Sequence, residues 1–303
     1  MEYSVDFSVI IPHRNSLHLL PKLLSSIPVS EKIEIILVDN SPKPIVKDEI
    51  NSDRDFQLFY SSPKRGAGGA RNEGIEHANG KWLIFADADD YFAENAFNCF
   101  QKYSDCKAEL VYFCADGIYL DSGEHSSRAD KYTKLVGGYL NGTKTETDLR
   151  LSFTVPWAKM ISHKLVETKC LQYDEVVASN DEFFSLLSGY YADSVIAVDE
   201  IVYIVTVSKG SLTKRMDKDV ILSRFIVELR YNQFVKTHGL SNYQKSIMNY
   251  MCHSINFGLL FVLKCIVLLI KYKQNPFVGC KNWISTVINL LKRQKTEGKY
   301  YTR

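Results

Sequence analysis

The sequence predicts an α/β fold with a mostly parallel central sheet flanked by helices, followed by a C-terminal helical extension. Short apolar runs rich in strand formers alternate with helical segments in the first third of the chain. After Thr213 the composition becomes helical, apolar and basic. A chain of 303 residues, 46% of them hydrophobic, can bury a core of this size. We expect residues 1–95 and 96–213 to form two halves of one domain, and residues 214–303 to form the extension.

Four strands and two helices are predicted in the first of these regions. The strands are residues 7–11, 33–38, 56–60 and 82–86. The first helix follows from apolar residues at i, i+3, i+4 and i+7, namely Leu20, Leu23, Leu24 and Ile27. The second helix opens in the glycine-rich segment 64–72 and ends near Asn79.

Polar turns follow three of the predicted strands. They comprise residues 12–15, 39–41 and 87–90. Ligands of parallel sheets bind beyond the carboxyl ends of the strands. Because all three turns would lie at that edge, we expect them to converge on one binding site.

The turn after the fourth strand carries three carboxylates, Asp87, Asp89 and Asp90. Carboxylates this close repel one another unless a cation lies among them. Oxygen ligands on a short turn suit a hard divalent ion, Mg²⁺ or Mn²⁺, particularly one shared with a diphosphate. A solvated acidic turn that caps the next helix is the alternative interpretation.

The glycine-rich segment offers groups that bind phosphate. Backbone N–H groups at a helix start and the side chains of Arg65 and Arg71 suit phosphate oxygens. The segment matches neither the G-K-[ST] pattern nor G-x-G-x-x-G, so alone it predicts only a turn that tolerates phosphate. For Arg71, a surface arginine on the helix is the alternative.

Composition and charge narrow the class of protein. The formal net charge of +2 gives no electrostatic basis for binding nucleic acid. The seven cysteines include no C-x-x-C pair, which is typical of free thiols in a reducing compartment. The first residues have no basic and apolar signal segment. We therefore expect a cytoplasmic protein.

Several segments follow one another in a distinctive order. They are the strand that leads to Pro12 and Asn15, the acidic turn at Asp39, the run Ala70-Arg71-Asn72-Glu73-Gly74, and the D-x-D-D motif Asp87-Ala88-Asp89-Asp90. This order resembles that of family 2 glycosyltransferases, which use nucleotide-diphospho-sugars and have the Rossmann-like GT-A fold. Looser matches are Pro156-Trp157-Ala158-Lys159, Asn180-Asp181-Glu182, and Gly210-Ser211-Leu212-Thr213 after Tyr203. The first loop, with His13 and Arg14, and Asn180 depart from the family pattern.

The resemblance implies a metal-dependent inverting glycosyltransferase. Its donor would be a hexose or N-acetylhexosamine linked to UDP, and its acceptor a glycan or lipid-linked glycan in surface polysaccharide synthesis. Residues 1–95 would bind the donor and residues 96–213 the acceptor. The implied donor contacts are Pro12, Arg14, Asn15, Asp39, Asn40, Arg65, Gly66, Arg71, Asp87 and Ala88. Asp89 and Asp87 would hold Mn²⁺ or Mg²⁺, Asp181 would be the catalytic base, and acceptor contacts would come from Trp157, Lys159, Asp90 and Glu182.

Simpler interpretations exist for some of these residues. Asp181 lies at the start of an apolar helix, and a carboxylate that only caps this helix would have a low pKa. Trp157 is either a stacking surface for a sugar ring or an ordinary core residue. The chain as a whole is either an enzyme or a catalytically silent module that binds glycans or membranes. A nucleotidyltransferase would need a G-x-G-T-R-like opening in place of residues 12–15.

Expectations also follow for residues 121–150 and for the C-terminal region. Residues 121–150 are polar and glycine-containing, which predicts a mobile acceptor lid or a variable loop. Residues 255–270 are apolar but shorter than the roughly 20 residues of a bilayer span, which predicts a buried or membrane-surface helix. Residues 271–303 are basic, with Glu297 as the one acidic residue. They suit the anionic inner face of a membrane, with a solvated basic face as the alternative.

Overall fold

The structure is a computed structural model, and it describes residues 3–207 and 216–277. The chain divides into two compact units, Met1–Arg215 and Met216–Arg303. The first unit holds the sheet and the second is helical. The α/β class and the helical C-terminal extension are thereby confirmed.

One sheet runs through the first unit. Its strands are β1 (Val5–His13), β2 (Ile33–Asp39), β3 (Gln57–Tyr60), β4 (Gly80–Phe85), β5 (Tyr91–Phe92), β6 (Leu110–Tyr119), β7 (Lys159–Ser162) and β8 (Val195–Val207). Their order across the sheet is β3-β2-β1-β4-β7-β6-β8-β5. The four strands predicted from the apolar runs correspond to β1, β2, β3 and β4.

The half of the sheet formed by β3, β2, β1 and β4 is parallel throughout. β1 is central in it, and its residues from Phe7 to His13 are buried. Ile10 pairs with Phe85 of β4, and His13 pairs with Asp39 of β2. The carboxyl ends of these three strands therefore meet at one edge, as the polar turns predicted.

The other half of the sheet is mixed. β7 is antiparallel to both of its neighbours, β4 and β6. β6 runs parallel to β8, with shifts of register on either side of Cys114, and β5 is antiparallel to β8. Most neighbouring pairs in the described sheet are parallel, so the prediction of a mostly parallel sheet is confirmed.

Seven α-helices of the described first unit cover the sheet. They are α1 (Leu20–Ser25), α2 (Gly66–Glu76), α3 (Ala96–Tyr103), α4 (Asp130–Leu140), α5 (Glu146–Ser152), α6 (His163–Thr168) and α7 (Glu182–Tyr191). α2 packs closely on β1, because a Cβ at Gly74 would overlap the side chain of Ile10. The predicted helix that opens in the glycine-rich segment is α2, and it lies directly against the central strand.

The prediction for residues 121–150 is wrong for much of that segment. α4 spans Asp130–Leu140, and its residues Leu135, Val136 and Gly138 are buried. α5 then begins at Glu146 with a capping box formed by Thr145 and Asp148. Apolar side chains on one face of α4 give this segment a packed position that its polar composition does not indicate.

The described part of the second unit contains α8 (Lys218–Thr237), α9 (Met248–Ser254) and α10 (Leu259–Lys271). A separate hydrophobic core joins them, formed by Ile221, Phe225, Leu229, Ile247, Phe261, Cys265 and Leu269. Among the described residues, no helix combines the length and the apolarity that a membrane crossing requires. The basic tail beyond residue 277 and the segment 208–215, which holds the closing motif, lie outside the described residues.

Candidate active site

A buried network joins the ends of β1 and β2. His13 Nε2 accepts a hydrogen bond from the N–H of Ser16 (3.1 Å), so Nδ1 carries the ring proton and donates to Asp39 Oδ1 (2.8 Å). Asp39 also accepts from the N–H and hydroxyl of Ser41 and from the N–H of Ile45. The network holds the two polar turns in a fixed relation to each other.

The carboxylate of Asp39 is wholly occupied by these bonds. Its side chain is 0% exposed. Burial would raise its pKa, but the hydrogen bonds from Ser41, His13 and Ile45 outweigh burial and lower the pKa below its ordinary value. Asp39 therefore shapes the turn, and three of its neighbours keep polar groups that these bonds do not use.

Those neighbours are Arg14, Asn15 and Asn40. Asn15 has a left-handed backbone (φ 54°), and its N–H donates to Ser41 Oγ (2.9 Å). Asn40 is buried, and its Nδ2 has no hydrogen-bond partner among the described residues. Arg14 is exposed and donates to the carbonyl of Pro63, whereas Pro12 is buried in β1.

Arg71 on α2 is the centre of a second network. Its Nη1 donates to Asn180 Oδ1 (2.6 Å) and its Nη2 donates to Asp87 Oδ1 (2.5 Å). The side chain is only 6% exposed. Its guanidinium carbon lies 5.3 Å from the ring centre of Tyr173. Arg71 is thus a buried bridge between the D-x-D turn and the segment before α7, and not a surface arginine.

Asn72, the next residue on α2, anchors the same segment. Its Nδ2 donates to the carbonyl of Tyr173 (3.0 Å), and its Oδ1 accepts from the N–H of Tyr173 (2.8 Å). A Cβ at Gly68 would overlap the carbonyl oxygen of Asp174, so only glycine permits this approach. Residues 173–180 are therefore held against α2 by side-chain and backbone contacts.

The D-x-D-D turn presents its carboxylates in three different settings. Asp87 is 33% exposed, its Oδ1 pairs with Arg71, and its N–H donates to the hydroxyl of Tyr203 (2.8 Å). Asp89 reaches solvent, yet surrounding protein atoms desolvate it in part, and together with the charge of Asp87 they raise its pKa to about 6. Asp90 is buried and accepts from the N–H of Thr206 (2.7 Å).

Asp90 holds the D-x-D-D turn in place through its contacts with β8. Burial, with the charges of Asp89 and Asp87, raises its pKa well above the ordinary carboxyl value. Tyr203 also hydrogen-bonds to this carboxyl group. The hydroxyl of Thr206 donates to the carbonyl of Asp89 (2.6 Å). Because Asp90 is buried and bonded to β8 in this way, it stabilises the turn.

Asp181 occupies the N-cap position of α7, but its side chain makes no capping hydrogen bond. Burial raises the pKa of Asp181, and Asp87 raises it further, while Arg71 and Lys159 oppose the rise. The alternative interpretation, a carboxylate that only caps the helix and has a low pKa, is therefore not supported. Desolvation outweighs the helix dipole here, and the residue is left as a carboxylate with enhanced basicity.

The sequence of this chain is similar to those of known glycosyltransferases. The family model "Glycosyl transferase family 2" matches residues 8–167 of the chain, more than half of its length. The chain belongs to glycosyltransferase family 2. EpsH of Bacillus subtilis is 25% identical over 228 residues, which cover 72% of this chain and 65% of EpsH. The chain spans less than two thirds of the length of the first curated relatives that it matches, from 31% to 65%.

Solved structures of glycosyltransferases share the fold. S. aureus TarS 1–349 in complex with UDP-GlcNAc superposes with a TM-score of 0.55 at 16% identity, covering 87% of this chain and 84% of TarS. Mannosyltransferase PcManGT from Pyrobaculum calidifontis, in complex with GDP-Man and Mn²⁺, gives a TM-score of 0.53 at 14% identity and covers 98% and 86% of the two chains. At these identities the likeness establishes the GT-A fold.

Residues of the family's looser motifs lie in the core. Trp157 is 3% exposed, and its ring stacks on that of Tyr203 (centroids 5.7 Å apart, 8° between planes). Lys159 is 1% exposed, and its Nζ donates to Ser185 Oγ (3.1 Å) and to the carbonyl of Phe153. These contacts favour the core interpretation of Trp157. Both Trp157 and Lys159 are therefore buried in the core. Glu182, in contrast, is half-buried beside Asp181.

Arg65 is compensated by acidic neighbours. It pairs with Glu175 (Nη2–Oε1, 2.8 Å) and with Glu73 (Nη1–Oε2, 3.1 Å), and its side chain is 34% exposed. Gly66 follows it with φ 64°, a left-handed backbone that favours glycine, and it starts α2. Arg65 therefore offers the phosphate site less positive potential than an unpaired arginine would.

The site residues predicted from the sequence did not include Arg128, Tyr173 or Tyr203, although Tyr203 precedes one of the looser family matches. Arg128 is exposed and lies near enough to Asp89 to oppose the rise in its pKa. Tyr173 stacks on Phe184 of α7 (3.9 Å, 13°) and adjoins Arg71. No local pattern singles out these residues, because each becomes part of the site only through the packing of distant segments.

The carboxylates of the turn suit a divalent ion that takes some of its ligands from a substrate. They do not suit a metal site built from protein side chains alone. No group of three or more His, Cys, Asp or Glu side chains in the described ranges could hold a metal ion. The charge of Asp87 nevertheless raises the pKa of Asp89, as a nearby unneutralised carboxylate does. An ion that takes its other ligands from a diphosphate and water needs only one or two protein carboxylates.

Proposed function

We propose that this family 2 member transfers a hexose or N-acetylhexosamine from a UDP-linked donor to a glycan or lipid-linked acceptor, with inversion at the anomeric carbon. The observation that carries the proposal is the pairing of Arg71 with both Asp87 and Asn180. It brings the proposed diphosphate site and the proposed base, Asp181, into one place, although they are far apart in the sequence.

The nucleoside would lie over the turns after β1 and β2. The unpartnered Nδ2 of Asn40 is a buried donor, and such a group is costly unless a ligand supplies an acceptor. Asn15 and Arg14 lie beside it at the end of β1, and the buried Asp39 keeps the turns in position. A nucleobase carbonyl has the chemistry that Asn40 requires.

The diphosphate would lie between the start of α2 and the D-x-D turn. Asp89, with the second carboxylate oxygen of Asp87, would hold Mn²⁺ or Mg²⁺, which when bound neutralises the charge of the leaving nucleoside diphosphate. Arg71, which pairs with Asp87, adds positive potential at this place, and Gly66 and Ala88 are the proposed backbone neighbours of the phosphates. Arg128 is a further cation on the exposed side of Asp89.

Asp181 would accept the proton of the attacking hydroxyl. A carboxylate with a raised pKa is a better proton acceptor near neutral pH than an ordinary aspartate. One base and direct displacement of the diphosphate invert the anomeric configuration. Of the four predicted acceptor residues, Glu182 is the one with a partly exposed position beside Asp181, while Trp157, Lys159 and Asp90 support the site from within.

The test measures release of nucleoside diphosphate from a panel of UDP- and GDP-sugars with Mn²⁺, with oligosaccharide and lipid-linked acceptors. Wild-type protein is expected to release UDP, and Asp89→Ala and Asp181→Asn are expected to lose this activity. Asp105→Asn, at a carboxylate that is 99% exposed, serves as the matched control and should behave as wild type. Equal release by wild type and Asp89→Ala across the panel would indicate the catalytically silent module instead.

A further inference from the structure

Helix α10 in the second unit has two apolar faces. On the inner face, Phe261, Cys265 and Leu269 are at most 7% exposed and belong to the core that this unit builds around α8. On the outer face, six large apolar side chains are between 40% and 84% exposed, namely Leu259, Leu260, Leu263, Ile266, Val267 and Ile270. A helix that served only to cover its own core would carry polar residues there.

The six side chains form one continuous stripe. Successive residues of a helix are turned by roughly 100°, so the stripe covers a sector of about 120° along the whole length of α10. Ile255 before the helix and Phe277 after it are each 68% exposed. Single exposed apolar residues are ordinary on protein surfaces, but a contiguous group of this kind marks an interaction surface.

The charge around the stripe has one sign. Lys264 and Lys271 are exposed at its border, and Lys273 follows the helix. Residues 229–296 contain ten lysines and arginines and no aspartate or glutamate, although the whole chain has a net charge of only +2. The positive charge of the protein is therefore concentrated in the region that carries the exposed apolar stripe.

We propose that the outer face of α10 binds the surface of an anionic lipid bilayer. The apolar stripe would enter the boundary between headgroups and acyl chains, and Lys264 and Lys271 would lie among anionic headgroups. The helix has 13 residues, and a span needs roughly 20, so it would lie in the plane of the interface.

Charge complementarity favours this occupant over two others. A symmetric contact with a second copy would bring the border lysines of both copies together, without an acidic residue between 229 and 296 to pair with them. The chain beyond residue 277 is itself basic, with Glu297 as its one acidic residue, so it repels the same border. Anionic headgroups match both the apolar and the charged parts of the surface.

The test is flotation of the full chain with vesicles of phosphatidylcholine alone and of phosphatidylcholine with phosphatidylglycerol. It needs neither donor nor metal, so its result is independent of glycosyl transfer. The variant Leu260→Gln/Ile270→Gln changes two outward residues that are 84% and 72% exposed. The matched control, Val29→Gln/Val46→Gln, changes two apolar residues of the first unit that are 79% and 54% exposed.

We expect wild type and control to bind the anionic vesicles, and we expect added salt to weaken this binding. The α10 variant should bind at least about tenfold more weakly, because each exposed apolar side chain that enters the interface contributes to partitioning. Lys264→Gln/Lys271→Gln should lose about tenfold on anionic vesicles and little on neutral ones. Circular dichroism would establish that the variants are folded.

Three outcomes would overturn the proposal. One is binding by the α10 variant equal to that of the control. Another is a wild type that ignores vesicles and is a dimer by light scattering, with a monomeric α10 variant, which would make the stripe a contact between copies. The third is a wild type that ignores vesicles and is monomeric, as the variant is, which would mean that the chain beyond residue 277 covers the stripe.

Discussion

The Arg71→Lys variant separates the charge at the centre of the site from its geometry. The guanidinium donates through two nitrogens, to Asn180 Oδ1 at 2.6 Å and to Asp87 Oδ1 at 2.5 Å. An ammonium group is a compact point charge on a flexible stem and cannot reproduce this fork. The variant therefore keeps the positive charge and loses one of the two bonds.

The structure indicates which bond is lost and what the loss costs. Asp87 carries the opposite charge and should keep the ammonium, so the amide oxygen of Asn180 would lose its partner. Asn180 is only 8% exposed, and a hydrogen bond from a charged group contributes about 1.5–3 kcal/mol. We expect a fall of about 2–3 kcal/mol in the free energy of unfolding, or roughly 4–12 °C in Tm for a unit of this size.

Activity should fall as well, because Asn180 precedes the proposed base. Displacement of Asp181 by about 1 Å is expected to lower kcat/KM by about a hundredfold. Urea denaturation and a diphosphate-release assay measure the two effects. Arg65→Lys is the matched control, since Arg65 pairs with Glu73 and Glu175 at the surface, and its loss should cost less than about 1 kcal/mol. Equal losses of stability in the two lysine variants would refute the bridging role of Arg71.

Three further predictions concern metal, anchoring and pH. Asp89→Asn should abolish the rise in Tm that Mn²⁺ with UDP gives the wild type. Without metal it should melt higher than wild type above about pH 6, where Asp89 is ionised beside Asp87, and this difference should shrink as the pH falls towards 3.8. Asn72→Ala breaks both bonds to Tyr173 and should cost about 2–4 kcal/mol in urea denaturation, whereas the exposed Asn51→Ala should cost less than about 0.5 kcal/mol. Burial lowers the pKa of Lys159 from 10.5 to about 7, so the unfolded chain binds more protons between these pH values. The stability of wild type relative to Lys159→Met should then rise across this range, by up to about 1.4 kcal/mol per pH unit, and a difference that does not change with pH would contradict the lowered pKa of Lys159.

The parallel half of the sheet is predictable because its signals are local. Each of β1, β2 and β4 is an apolar run that ends in a polar turn, and parallel pairing places such ends together. The mixed half lacks such signals. β7 has four residues, and nothing near Lys159–Ser162 in the sequence indicates that it lies antiparallel between β4 and β6. Its position depends on partners far away in the chain.

The polar composition of residues 121–150 does not predict the α4 helix, although the sequence contains a helical pattern of apolar residues there. Tyr132, Leu135, Val136 and Tyr139 recur at i, i+3, i+4 and i+7, and Leu135 and Val136 are buried. The polar residues that precede the helix, and the glycines within it, obscured this period. Periodicity here was a better guide than average polarity.

The identities of the proposed site residues were predictable, but their environments were not. A motif gives the residue type, and burial then decides whether the side chain faces a ligand. Asp39 and Asp90 are turned inwards and bonded to backbone N–H groups. The raised pKa of Asp181 depends on desolvation and on the charge of Asp87, a residue far away in the sequence. The helix dipole alone would have lowered this pKa, as the capping alternative implies.

Three residues on one face of α2 hold residues 173–181 in place. Gly68, Arg71 and Asn72 are related by i, i+3 and i+4, so all three point towards residues 173–181. Gly68 allows the backbone of Asp174 to approach, Asn72 fixes the backbone of Tyr173, and Arg71 extends the contact to Asp87. A helix whose start is predicted from the sequence to tolerate phosphate therefore has a second role. It sets the distance between the carboxylates of the D-x-D turn and Asp181, so substitutions on this face should alter catalysis without contact with either substrate.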